Sequence, residues 1–274
     1  MKKTNNTTVR IIVAIIGIPV ILGFCLWGGW PFVLFTGVIA LASLYEFNLL
    51  LSAKGIKFNL ILGFPFTVIL LLNAYLGFAP VSNLFVGFIL ILLFYELFRK
   101  NGSEIMNLGG TLLGVFYIGF FTAHLIYLRE FYTELPMFYE RGGYLIITVM
   151  ATIWICDSAA YFLGLAFGKH RLFPRVSPKK SWEGAIAGFV FSILSVIAAK
   201  YIVLDFIEWN QIIGIGLIVG VFGQIGDLIE SLLKRDADVK DSSSILPGHG
   251  GFFDRFDSLI FSAPIIYLFL YYTT

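Results

Sequence analysis

The residues best equipped for chemistry crowd into one stretch near the C-terminus, Gly226 to Ser258, reading GDLIESLLKRDADVKDSSSILPGHGGFFDRFDS. It holds seven acids (Asp227, Glu230, Asp236, Asp238, Asp241, Asp254, Asp257), four cations (Lys234, Arg235, Lys240, Arg255) and His249. Asp227 and Glu230 are three residues apart and Lys234 follows two turns after Asp227, so on a helix all three share a face. Asp254 and Asp257 repeat that spacing around Arg255. Carboxylates are hard oxygen ligands, and one or two of them together with phosphate oxygens are a usual setting for Mg²⁺. The cations would neutralise phosphates and a leaving pyrophosphate. The turn Pro247-Gly248-His249-Gly250-Gly251 permits close backbone approach, and its N–H groups would suit an anion nest. The chemistry this stretch fits is that of a metal-bound polyphosphate.

Two further places carry polar groups. From Gly168 to Glu183, GKHRLFPRVSPKKSWE, five cations and His170 fall within sixteen residues. That run would suit anionic lipid headgroups. The favoured reading is a phosphate-binding helix start, with Ser181 as cap and Lys179 and Lys180 beside the first N–H groups. Asp157 stands mid-span in WICDSAAYFLG, next to the small residues Ser158, Ala159 and Ala160. An ionisable group at that depth is either functional or half of a helix–helix hydrogen bond. Glu46 and Glu96 are expected near cytoplasmic span ends, as interfacial anchors or helix-pairing groups. His124 is expected to be satisfied by a neighbouring helix.

The elements that must position these groups are apolar. The chain has 274 residues, 58% hydrophobic and 13% charged, with mean hydropathy +0.89, against roughly 45–50% apolar in soluble domains. The expected fold is all-α, a polytopic protein of the cell membrane. A net charge of +2 gives no reason to expect nucleic acid. Cys25 and Cys156 lie in apolar runs and read as small buried hydrophobes. The basic start and the apolar run from residue 11 read as a retained first span, since no small-x-small cleavage site follows.

Nine stretches are long and apolar enough to suggest crossings of about 20 residues: 11–27, 31–51, 59–77, 82–98, 108–128, 144–167, 184–204, 211–230 and 258–272. With a cytoplasmic N-terminus, sixteen of the nineteen Lys and Arg residues fall on one side; Arg129, Arg141 and Lys200 fall on the other. That split fits the positive-inside rule and puts the charged stretches at the cytoplasmic face. Residues 1–105 then hold spans 1–4, and 106–274 hold a catalytic region of spans 5–9 with cytoplasmic loops 168–183 and 231–257. Glycines 214, 216, 220 and 223 read as close helix packing, not a nucleotide loop.

From Ser231 to Asp257 the sequence resembles the signature of the phosphatidate cytidylyltransferases (CDP-diacylglycerol synthases), S-x-x-K-R-x4-K-D-x-S-x-x-L-P-x-H-G-G-x-x-D-R-x-D. The matching residues are Ser231, Lys234, Arg235, Lys240, Asp241, Ser243, Leu246, Pro247, His249, Gly250, Gly251, Asp254, Arg255 and Asp257. The resemblance extends to Asp157, Ala160 and Tyr161, and to Ser177, Pro178, Lys179, Lys180, Glu183 and Gly184. It implies transfer of the cytidylyl group of CTP to phosphatidate with Mg²⁺, giving CDP-diacylglycerol and pyrophosphate. The assignment favoured for this reaction has Asp227 and Asp254 bind the metal. Lys179, Lys180, Lys234, Arg235 and Arg255 would hold phosphates, and Asp241, Asp257 and His249 would orient ligands. Asp157, Ser177, Ser231, Lys240, Gly250 and Gly251 would complete the substrate site. Membrane lipids are the remaining expected partners, and a homodimer is left open. An ion-coupled transporter is the rival from another class, suggested by Asp157 and Asp227 at membrane depth. A CDP-alcohol phosphotransferase is disfavoured because its D-G-x2-A-R…G-x3-D-x3-D pattern is absent.

Overall fold

Without water to serve backbone N–H and C=O groups, an apolar chain in a bilayer must satisfy them within helices. The computed structural model, which describes residues 6–133, 138–243 and 250–274, is built accordingly. Helices α1 (Asn6–Trp27), α2 (Gly29–Ala53), α3 (Leu60–Leu76) and α4 (Val81–Phe98) come first. A run follows from α5 (Glu104–Leu113) through a π-helical segment, Gly114–Phe120, into α6 (Phe121–Arg129). After α7 (Tyr139–Phe167) come strands β1 (Arg171–Phe173) and β2 (Ser177–Ser181), then α8 (Trp182–Ile202). Helix α9 (Trp209–Ile218) continues through a second π-helical segment, Val219–Gly223, into α10 (Gln224–Asp236), and α11 (Phe253–Thr273) ends the chain. Seven of these runs are long and apolar enough to cross a membrane, and two further apolar helices, Ile15–Trp27 and Leu60–Leu76, are shorter.

Three expectations change. The stretch 168–183, expected as a loop, contains an antiparallel hairpin pairing Arg171 with Ser181 and Phe173 with Ser177, a small exception to an otherwise helical fold. The second loop shrinks from 231–257 to the stretch between Asp236 and Phe253. The cause is electrostatic: Glu230 and Lys234 pair at 2.6 Å one turn apart, so α10 can carry its polar face onward while buried. His124 is satisfied within its own helix, its Nδ1 2.9 Å from the Phe120 carbonyl oxygen.

Helix α2 packs on α3, α6 and α11, sharing a core that includes Leu44, Phe47, Ile118, Phe253 and Ile260. Helices α4 and α8 leave most of their apolar surface uncovered. Helices α7 and α8 meet backbone to backbone at Gly184, where a Cβ would stand 2.6 Å from the Ala160 carbonyl oxygen. This close approach sets the hairpin, which enters α8, against the Asp157 end of α7. Glu96 pairs helices as expected: Asn107 on α5 donates to it at 3.0 Å, and Arg99 lies 3.5 Å away.

Elsewhere, Arg129 is fully buried and serves as a cap. Its Nε donates to the Cys25 carbonyl at 2.6 Å, one Nη to that of Leu26 at 2.9 Å, and the other to Tyr139 at 3.1 Å. Helix ends leave carbonyls without partners, and this guanidinium ties those of α1 to the start of α7. Arg129→Met is expected to lower the thermal midpoint in detergent, at about 1–3 kcal/mol for each buried carbonyl left unmet, with turnover per folded molecule unchanged. A wild-type midpoint would sink this assignment.

Candidate active site

Helices α7, α10 and α11, the end of β2 and the start of α8 enclose a cavity of about 910 Å³. Its charged wall begins on α10, where helical periodicity turns Asp227, Glu230, Ser231 and Lys234 to one side. Asp227 Oδ2 accepts from Lys180 Nζ at 2.5 Å, and Ser231 Oγ donates to Oδ1 at 3.5 Å. Lys180 is brought there by β2, which ends at Ser181, whose Oγ caps α8 by accepting from the Gly184 N–H at 3.2 Å. The predicted cap is therefore present, and the two lysines of that stretch, Lys179 and Lys180, both line the cavity.

Lys234 is the pivot. Its Nζ lies 2.6 Å from Glu230 Oε2 and 2.5 Å from Asp254 Oδ1, while Glu230 is 1% and Lys234 8% exposed. Charges this deep persist only when paired, so the ammonium holds α10 and α11 together. The far oxygen of Asp254 gathers the loop: it accepts from Ser242 N–H at 3.1 Å, Ser242 Oγ at 2.9 Å and Gly251 N–H at 2.9 Å. Gly250 precedes with φ +83°, a conformation that side-chain-bearing residues rarely adopt.

Asp157 from α7, Lys240, Asp241 and Gly250 from the loop, and Arg255 and Asp257 from α11 complete the polar lining. Arg235, Ser177, Gly251 and Ser231 are not among its lining residues; Ser231 instead supports Asp227. Arg235 follows Lys234 and is therefore turned about 100° around α10; it donates instead to the carbonyls of Val176 at 3.4 Å and Val239 at 2.9 Å, bracing hairpin against loop. Ser177 pairs with Phe173 inside the hairpin, and Gly251 serves Asp254 from behind the wall. His249, with Leu246 and Pro247, lies outside the described residues.

Sequence reasoning passed over three features. The spacing of Glu230 does not by itself assign it to the site; its place one turn before Lys234 is the available signal. Glu46, expected as an anchor or helix-pairing group, is fully buried and reaches the C-terminal loop, because α2 packs directly on α11. The third is an apolar wall that includes Trp154, Tyr161, Leu165 and Leu172. Tyr161 and Leu165 are largely exposed, so this wall is continuous with the lipid-facing surface of α7, and periodicity alone could not tell one from the other.

Asp227, Glu230 and Asp257 each present a ligand atom within 4.8 Å of the others, and Glu230 Oε1 is buried with no partner among the described residues. Clustered hard oxygens, one of them unsatisfied, fit a divalent cation such as Mg²⁺. A polytopic helical bundle with a half-charged, half-apolar cavity is the architecture of an integral-membrane enzyme acting on phosphate groups. The chain belongs to the cytidylyltransferase family, whose model matches residues 8–273. It is 35% identical to the phosphatidate cytidylyltransferase of Staphylococcus aureus (strain COL) over 96% of this chain and 98% of that protein. Against the Synechocystis sp. (strain ATCC 27184 / PCC 6803 / Kazusa) protein of the same name it is 33% identical, over 96% of each.

Proposed function

We propose that this chain transfers the cytidylyl group of CTP to phosphatidate, giving CDP-diacylglycerol and pyrophosphate. The observation that carries the proposal is the two-sided cavity: one wall offers carboxylates, lysines and Arg255, the other apolar surface running out to the lipid-facing side. A nucleoside triphosphate needs the first and a diacyl lipid the second. The relatives' name, phosphatidate cytidylyltransferase, supports the same lipid and the same transferred group.

In this reading a phosphatidate oxygen attacks the α-phosphorus of CTP. The new P–O bond forms as the bond to the β-phosphate oxygen breaks, and pyrophosphate leaves with that electron pair. No general base is required, since a phosphate monoester is already largely ionised near neutral pH. Lys179, Lys180, Lys234 and Arg255 hold phosphates and offset the charge that builds on the leaving group. Lys180 and Lys234 are placed for this by Asp227, Glu230 and Asp254, which fix their ammonium groups. Asp227, Glu230 and Asp257 would hold Mg²⁺, whereas Asp254, expected as a metal ligand, has its oxygens taken by Lys234, Ser242 and Gly251. Bound there, the ion would neutralise charge on the triphosphate.

The nine-crossing arrangement with cytoplasmic N-terminus and site is part of the same proposal. It is supported by the sorting of cations and by the 3.7 Å pair between Lys54 and Asp236, which joins two segments assigned to that side. Labelling of a cysteine introduced at Lys54 from the outside of sealed cells would contradict it.

The decisive assay follows pyrophosphate release from CTP by the purified protein, with and without phosphatidate and Mg²⁺. Release that requires all three supports the proposal. Phosphatidate-independent release, or ion-coupled flux in sealed vesicles without CTP, would overturn it.

A further inference from the structure

Glu46 sits on α2, nearly two hundred residues from the site, and is fully buried. It is nevertheless bonded at four points to the segment between Asp236 and Phe253 and to the start of α11. Oε1 accepts from Ser243 Oγ at 2.6 Å and from the Phe252 N–H at 2.9 Å. Oε2 accepts from Ser242 Oγ at 2.7 Å and from the Phe253 N–H at 2.8 Å. A carboxylate has about four lone-pair positions, so Glu46 is saturated and has none to spare for a metal or a substrate. Two of its donors lie at the start of α11: the amide of Phe252, the residue before the helix, and that of Phe253, a first-turn N–H that a helix cannot satisfy internally and that favours a negative charge. The segment supplies no side-chain cap of its own.

We infer that Glu46 is a positioning residue: it caps α11 from α2 and thereby fixes the helix turn that carries Asp254, Arg255 and Asp257. Ser242 Oγ links the two carboxylates, lying 2.7 Å from Glu46 Oε2 and 2.9 Å from Asp254 Oδ2. Displacing Glu46 therefore displaces Asp254, and through it Lys234. Gly251 fits the same construction, because a Cβ there would run into both Ser242 Oγ and Glu46 Oε2. The role assigned to Glu46 rests on the transferase reading above for its kinetic consequence, but the cap itself does not.

The test compares wild type, Glu46→Gln and Glu46→Asp as full-length proteins in detergent. It reads CTP-dependent CDP-diacylglycerol formation and hydrogen exchange of the peptide spanning 250–256. The amide of Gln would point N–H toward donors, whereas Asp keeps the charge on a shorter stem. Glu46→Gln is expected to lower kcat about 100-fold with KM for phosphatidate moved less than about threefold, as misplacement near 1 Å can do. Exchange at Phe252 and Phe253 should quicken, and Glu46→Asp should recover about tenfold of the lost turnover. A Glu46→Gln enzyme within about threefold of wild-type kcat would overturn the inference, as would lost turnover with unchanged exchange. Should Glu46→Gln fail to fold, Ser243→Ala deletes one of the four donors. It should quicken exchange at the same amides, and unaltered exchange there would equally overturn the cap. Absence of CTP-dependent product from the wild type would instead refute the transferase reading, leaving the exchange result to decide the cap.

Discussion

Asp227→Asn is expected to reduce CDP-diacylglycerol formation by at least about 10³-fold while leaving the protein folded, the size of loss seen when a group that stabilises developing charge is removed. Asparagine preserves the shape of the side chain and an acceptor for Ser231, which lies 3.5 Å away. What it removes is the charge that holds Lys180 Nζ at 2.5 Å. An amide in that position presents either an N–H to the ammonium or a weaker acceptor, and the phosphate-facing lysine loses its fixed place. The proposed metal would lose a ligand at the same stroke. Turnover in the pyrophosphate assay, with helical content followed by circular dichroism, checks the result. Near wild-type turnover would take Asp227 out of both roles.

Lys234→Met should be strongly destabilising. The ammonium is shared by Glu230 and Asp254, and removing it leaves two buried carboxylates facing one another. Breaking a buried ion pair from one side costs about 3–5 kcal/mol. Stability and chemistry can be separated here. Lys234→Met combined with Glu230→Gln removes one of the two orphaned charges, while Asp254 keeps its donors from Ser242 and Gly251; the double variant should recover part of the thermal midpoint while turnover stays at the single-variant level. An unchanged midpoint for Lys234→Met would show that the network contributes nothing to holding α10 on α11. Wild-type turnover in the double variant would show that Lys234 takes no part in phosphate chemistry.

The contrast between what could and could not be read in advance follows from the range of the interactions. Asp227, Glu230 and Lys234 share a face because a helix has 3.6 residues per turn, so their convergence was legible from spacing. The Ser181 cap was legible because its partner, Gly184, is three residues away. The direction of Arg235, toward the Val176 and Val239 carbonyls, was not legible, because adjacency in a motif says nothing about direction around the helix. Glu46 was out of reach: its partners lie at 242–253, and only the packing of α2 on α11 brings them together.

The three cations outside the main cluster are instructive in the same way. Arg129 is spent on carbonyls; Lys200 donates to the carbonyl of Asp205 and to that of Ile207; and Arg141 lies 3.8 Å from the centre of the Phe138 ring. Each is engaged within the protein, so each is a structural charge that the sorting of loops could only count as an exception.

The apolar wall formed by Trp154, Tyr161, Leu165 and Leu172 sets up an asymmetry between the two substrates proposed for the cavity. A nucleotide arrives from three-dimensional solution, and every bit of its capture must come from the charged side. A lipid is confined to a sheet, already concentrated and already oriented with its headgroup toward the cavity mouth, so much of its ordering entropy is lost before it meets the protein. Weak contacts along α7 then suffice for it. Its saturation is set by surface density in the bilayer, not by the amount dispersed in the volume around it.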